Sequence, residues 1–387
     1  MAENEKKVQM ILECSMTQAK ELLISEIATL KYRLPSINSY VVELYEKDLP
    51  KLKNIEGLKA VYENTRITAQ MNKSRKFLKA DLANNQGYLG KGITVAFLDT
   101  GIAPLKDFTI PTNRILYFKD FVNNETTPYD DNGHGTHVAG ICAGNGMLSD
   151  GKYRGIAPLV NIVSLKTLNN KGSGNSSDVL AGIQWVIDNA KKYNIRIANL
   201  SIGTEPQLTD DPLVKAVEFA WDSGIIITTA AGNNGPKFGT ITSPGISKKV
   251  ITVGTADDTS FVNISGTNVI NFSGRGPTKE CIVKPDILAP GTDIISCMTP
   301  TPYKQKDENI EAIDKNYMKL SGTSMSTPMV TGAIALLLEK YPKLSPDDVK
   351  YALKKCSVDL NYPQNRQGWG LLNVENLING EEFYVRH

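Results

Sequence analysis

The sequence predicts an α/β protein built on a parallel sheet, preceded by a smaller α+β domain. Three observations lead there. Past residue 81, five continuous apolar or β-branched runs alternate with helical stretches, the pattern of strands buried on both faces and joined by crossover helices. Ahead of residue 71 the order is strand, helix, two strands, helix, strand, which closes into a small ferredoxin-like sandwich. At 387 residues there is chain enough for one large core and a second, smaller one.

In the first domain, Val8-Gln9-Met10-Ile11-Leu12 is apolar enough for a strand, and Thr17 caps a helix running to Ile27. Tyr40-Val41-Val42-Glu43-Leu44 is a strand, Leu49–Ile55 is helical, and Leu58–Tyr62 closes the domain as a short strand. The composition then turns polar and basic over Asn64–Lys79, which predicts an exposed connector.

In the second domain the strands are Ile93–Leu98, Asn161–Leu165, Ile195–Leu200, Ile225–Thr229 and Val250–Val253, with helices over Ser177–Lys191 and Pro212–Ser223. In such sheets the functional groups collect where strands end and loops begin. Asp99 ends the first strand in Leu98-Asp99-Thr100-Gly101, where an acid serves equally as a turn residue. His134 opens a helix rich in small residues, Asn132-Gly133-His134-Gly135-Thr136-His137-Val138-Ala139-Gly140. His134 and His137 are three apart, a spacing open to metal, but neither a HExxH arrangement nor a nearby cysteine accompanies them. The third candidate, Ser324, stands in Ser321-Gly322-Thr323-Ser324-Met325-Ser326-Thr327-Pro328, ahead of a long apolar helical run. Pro328 is placed in the first turn of that helix. A helix N-terminus favours negative charge developing beside a serine hydroxyl, which itself needs a base and an orienting group. Asn233 follows another strand in Ala230-Ala231-Gly232-Asn233-Asn234-Gly235, either as a turn or as an amide donor.

Taken together and in the order Asp, His, Ser, these three motifs resemble the subtilisin-like serine proteases, the subtilases of peptidase family S8. The likeness runs over most of residues 81–378. It implies a three-layer parallel-sheet catalytic domain over 81–387, a connector over 72–80, and a ferredoxin-like prodomain over 1–71. It implies a serine endopeptidase in which Ser324 attacks the scissile carbonyl, His134 carries the proton, Asp99 fixes the imidazole, and Asn233 donates to the oxyanion. Gly172, Ser173 and Gly174 with Ser201, Ile202 and Gly203 would hold an extended polypeptide substrate by β-augmentation. The same Ser201–Gly203 segment, with Ala230, Ala231 and Gly232, would wall the pocket for the residue before the scissile bond. The floor is expected from Thr240–Pro244, with the preferred side chain left unassigned. The prodomain is expected to assist folding, to inhibit by laying its tail in the cleft, and to be removed by self-cleavage between Ile67 and Ser74.

Two segments depart from the family pattern. Gly144–Gly151 does not clearly reproduce the subtilase calcium loop, so the chemistry is expected to need no cofactor while a structural calcium stays open against a solvated turn. Met298–Lys319 is a polar insertion before Ser324, readable as a flap or a surface loop.

With 43 basic against 41 acidic side chains and a net charge of +2, neither nucleic acid nor an anionic membrane is favoured as partner. The five cysteines are scattered, as expected of reduced thiols, and the charged N-terminus has no apolar signal core, so a cytoplasmic location is expected. Competing readings are a catalytically silent subtilase-fold binding protein, a subtilase-type peptide ligase or macrocyclase, and a nucleotide-binding α/β protein. The first would lack a triad member. The last is disfavoured because no phosphate-loop lysine motif or GxGxxG appears.

Overall fold

The computed structural model describes residues 7–15, 17–34, 38–63, 71–204, 211–264, 266–300, 311–381 and 383–384. The chain divides into two compact units, residues 1–67 and 68–387.

The first unit carries β1 (Lys7–Cys14), α1 (Gln18–Ile27), β2 (Thr29–Leu34), β3 (Ser39–Tyr45) and β4 (Leu58–Glu63), with the antiparallel strand order β2-β3-β1-β4. The Thr17 side chain caps α1 by accepting from the Lys20 N–H. Leu12, Ile24, Tyr40, Val42 and Leu52 form its core. The expected second helix is a 3₁₀ segment, Glu46–Asn54, since Pro50 lacks the N–H a regular α-helix would use.

The second unit opens with α2 (Met71–Phe77) and α3 (Ala80–Asn85). This corrects the exposed connector expected over Asn64–Lys79, of which 64–70 lie outside the described residues. Ser74, Arg75 and Leu78 are buried, and Arg75 donates to the Asn84 side chain and the Gly155 carbonyl. A basic composition read as exposure conceals a guanidinium satisfied inside.

The seven-stranded parallel sheet has the order β13-β10-β9-β8-β5-β7-β6. Its strands are β5 (Thr94–Asp99), β6 (Ile115–Asp120), β7 (Asn161–Lys166), β8 (Ile195–Leu200), β9 (Ile226–Ala230), β10 (Ile251–Thr255) and β13 (Ile287–Ala289). Every residue of β5, β9 and β10 is buried, because helices cover both faces. The edge strand β6 alternates buried and exposed positions and offers no continuous apolar run to the sequence reading. The helices are the short α4 (Lys106–Thr109), α5 (His134–Ala143), α6 (Ser176–Tyr193), α7 (Pro212–Asp222), α8 (Thr323–Lys340), α9 (Pro346–Cys356), α10 (Gln364–Gln367) and α11 (Val374–Asn379). In α8, 15 of 18 residues are buried, so it is a core helix with no solvent stripe.

A two-stranded hairpin joins β11 (Val262–Ile264) to β12 (Thr267–Val269). A further antiparallel sheet, β14-β16-β15, pairs Ile294–Cys297, Tyr317–Leu320 and Glu311–Ala312. The insertion over Met298–Lys319 is therefore not simply a surface loop. Tyr317 and Met318 are fully buried, and the Tyr317 hydroxyl donates to Asp107 at 2.8 Å. Residues 301–310 lie outside the described residues.

Candidate active site

Asp99 is the last residue of β5 and 1% exposed. Its backbone carbonyl accepts from Thr167 and Leu168 at the end of β7, which fixes the strand tip. Its Oδ1 accepts from the Thr100 N–H at 2.7 Å and from His134 Nδ1 at 2.8 Å. A carboxylate only accepts, so the proton of the neutral imidazole stands on Nδ1 and leaves Nε2 a free acceptor. His134 is the first residue of α5, reached through Gly133 at φ +106°, a conformation that favours glycine. The helix runs so close to β5 that a Cβ on Gly135 would lie 2.3 Å from the Gly101 carbonyl. Burial disfavours the imidazolium, but the charge and hydrogen bond of Asp99, with Asp130 beyond, outweigh it and hold the His134 pKa above the ordinary value.

His137 is one turn along and wholly buried. Its Nε2 donates to the Ile294 and Met318 carbonyls, and burial together with the charge of His134 lowers its pKa to about 3. The helical spacing thus points the two histidines at different surroundings.

Ser324 is the second residue of α8. Pro328 sits in the second turn, not the first as expected, and having no N–H it leaves the Ser324 carbonyl unclaimed by the helix. The Ser201 hydroxyl, which accepts from Asn199 Nδ2, donates to that carbonyl at 3.0 Å. In return the Ser324 hydroxyl donates to the Ser201 carbonyl at 3.0 Å. It is engaged there and not with His134. Asn233 Oδ1 accepts from both the N–H and the hydroxyl of Thr323 at 3.0 Å, which sets the amide with Nδ2 unpartnered among the described residues.

A cleft of about 460 Å³ is lined by His134, Ser324 and Asn233, together with Gly172, Ser173, Gly174, Ser201, Ile202 and Gly203. An adjoining hollow of about 440 Å³ is bounded by the same Ser201–Gly203 segment, by Ala230, Gly232 and Thr242, and by Ile264 of the hairpin. Ala231 does not line it. Its side chain is fully buried among Val214, Ile241 and Ile246, since successive residues of an extended segment face opposite ways. Thr242 closes the hollow from within: a Cβ on Gly203 would stand 2.3 Å from its Oγ1, and one on Gly232 2.5 Å from its Cγ2. The Gly144–Gly151 segment forms a 3₁₀ turn at Met147–Ser149, with the Asn145 side chain bonded to Met147 N and Ile110 O. Among the described residues no group of three or more His, Cys, Asp or Glu is gathered as metal ligands.

Sequence reasoning did not find Ile264 at the cleft, nor the buried Asp130 ahead of His134 and the buried Lys166 at the end of β7. An acid four residues ahead of His134 was the one available signal, and it reads as an ordinary loop residue.

The fold and the cleft are those of a subtilisin-like serine endopeptidase, and the chain belongs to the subtilase family, peptidase S8, whose model matches residues 90–370. It is similar to Serine protease AprX of Bacillus subtilis (strain 168), at 41% identity over 402 residues covering 98% of this chain and 89% of the relative. Subtilisin DY of Bacillus licheniformis is 34% identical over 304 residues, covering 77% of this chain and 95% of the relative. The crystal structure of a cold adapted subtilisin-like serine proteinase matches with a TM-score of 0.58 at 32% identity, covering 74% of this chain and 90% of that one. No helix among the described residues is long and apolar enough to cross a membrane.

Proposed function

We propose that Asp99, His134 and Ser324 act as a catalytic triad, with Asn233 as an oxyanion donor. The observation that carries this is the 2.8 Å bond from His134 Nδ1 to Asp99, on a histidine whose cleft also holds Ser324 and Asn233. On substrate binding the Ser324 hydroxyl turns from the Ser201 carbonyl toward Nε2 and attacks the carbonyl carbon while His134 takes its proton. Charge moves onto the former carbonyl oxygen, where Asn233 Nδ2 and the N-terminal end of α8 stabilise it. Collapse breaks the C–N bond as His134 returns the proton to the leaving amine. Water then hydrolyses the acyl-enzyme by the same route, and Asp99 stabilises the imidazolium in both halves.

The substrate is an extended polypeptide held between the 172–174 and 201–203 segments, with the residue before the scissile bond entering the hollow floored by Thr242. Residues 1 to about 71 serve as a prodomain that aids folding, occupies the cleft and is removed by the enzyme itself. The separate compact unit at 1–67 supports that reading. Within the expected interval from Ile67 to Ser74, the burial of Ser74 and Arg75 in α2, which begins at Met71, supports a cut ahead of that helix.

A fluorophosphonate probe tests the chemistry. Labelling of Ser324 that disappears in His134→Ala is the expected result; wild-type protein that hydrolyses peptides without being labelled at Ser324 would remove the triad.

A further inference from the structure

We propose that Asp130 is a positioning residue for His134, clamping the turn after Asp99 to the first turn of α5 and holding a negative charge behind the imidazole. The inference rests on the triad reading above. Asp130 is 3% exposed and its carboxylate accepts five hydrogen bonds. Oδ1 takes the Thr100 hydroxyl at 2.9 Å and the N–H groups of Asn132 and Gly133 at 3.1 and 2.8 Å. Oδ2 takes the N–H and the hydroxyl of Thr136 at 2.8 and 2.6 Å. The Thr100 hydroxyl in turn accepts from the Gly135 N–H at 2.8 Å.

One carboxylate thus joins the residue after Asp99 to those on both sides of His134. Since the N-cap, Gly133, has no side chain, the first turn is satisfied by neighbours: the His134 N–H by Asn132 Oδ1, the Gly135 N–H by the Thr100 hydroxyl and the Thr136 N–H by Asp130. The catalytic pair is otherwise held by the Thr100 N–H on Asp99 Oδ1, by the Thr167 and Leu168 N–H groups on the Asp99 carbonyl, and by Asn132 Oδ1, which accepts from the His134 N–H. Asp99 Oδ2 is buried with no partner among the described residues, so the two side chains meet through the single Oδ1 to Nδ1 bond.

The charges around His134 make the electrostatic part explicit. Asp99 faces it from β5 and Asp130 from the preceding loop, while Asp131 pairs with Lys166 at the end of β7. Lys166 is fully buried and committed to Asp131 and the Thr100 and Leu168 carbonyls. His137 on α5 itself stays neutral at ordinary pH. Of the elements packed on α5, β14 carries Cys297, whose thiol burial keeps protonated. The negative charge of Asp130 therefore adds to that of Asp99 in favouring imidazolium.

The test is Asp130→Asn in the full-length protein. The amide keeps the shape but must turn an NH₂ toward one set of donors that the carboxylate accepted. The expected result is a fall in kcat of roughly 10- to 100-fold, as for a misplaced catalytic group, with KM nearly unchanged. The acid limb of the pH–kcat/KM profile should move to lower pH. Thr100→Val, which keeps the charge and breaks the link, should lower kcat the same way, and Thr100→Ser should restore it. A folded Asp130→Asn with wild-type kcat and acid limb would overturn the inference. If that variant does not fold, Thr100→Val at full kcat would overturn it instead. Wild type that fails to label at Ser324 would count against the triad itself, whereas with a labelled, active wild type the outcome bears on Asp130 alone.

Discussion

Thr242 should decide which residue is accepted before the scissile bond. Its side chain stands against both glycine walls, where a Cβ on Gly203 or Gly232 would collide with it, so it bounds that end of the hollow. Thr242→Gly removes three side-chain heavy atoms and keeps the backbone bond from residue 242 to the Ala231 carbonyl. A leucine side chain entering that space buries at most about three methylene equivalents at ~0.8 kcal/mol each. That is about 2.4 kcal/mol, or roughly 60-fold at ~1.36 kcal/mol per decade. Pockets differing by a methylene group discriminate by roughly 10- to 200-fold, so the figure lies in a reasonable range. The assay is the ratio of kcat/KM for two peptide anilides that differ only in leucine against alanine before the anilide. The ratio should rise about 10- to 60-fold, while fluorophosphonate labelling of Ser324 persists. A folded, labelled variant whose ratio moves less than about threefold would show that the hollow is not where that side chain binds.

Asn233→Ala should lower kcat by about two to three orders of magnitude at similar KM, the loss of ~2.7–4 kcal/mol being that known for the equivalent donor of subtilisin. A fall under about tenfold in single-turnover kinetics would take the oxyanion role from Asn233. Asp99→Asn should lower kcat by roughly 10⁴-fold. Since the Asp99 carboxylate favours imidazolium, its removal lowers the His134 pKa, so the acid limb of the residual activity should shift toward lower pH; an upward move would refute the assigned sign. Intact-mass measurement should find wild type shortened to an N-terminus at or before Met71 and Ser324→Ala left at full length. Wild type that cleaves peptides yet keeps residue 1 would end the self-processing idea.

The parallel sheet was legible because β5, β9 and β10 are buried throughout, β8 nearly so, and all four are rich in apolar or β-branched residues. The edge strand β6 mixes exposed Leu116 with buried Phe118 and gives no continuous apolar run. Motif spacing singled out Asp99, His134, Ser324 and Asn233, since each stands where a strand ends or a helix begins. What stayed hidden were residues whose work is done through others. Asp130 and Thr100 look like turn chemistry until five donors are seen to converge on one carboxylate. Arg75 looks like surface until its guanidinium is found inside. Ala231 lies in the right motif but on the wrong side of an extended segment, a distinction the adjacent glycines do not reveal.

The helix bearing Ser324 runs through the middle of the second unit with apolar neighbours on every side. The oxygen proposed to attack is therefore mounted on a buried core helix, whereas the residues proposed to meet the polypeptide stand on separate loops and a hairpin. Selectivity can drift through changes at that periphery while the anchor keeps its geometry.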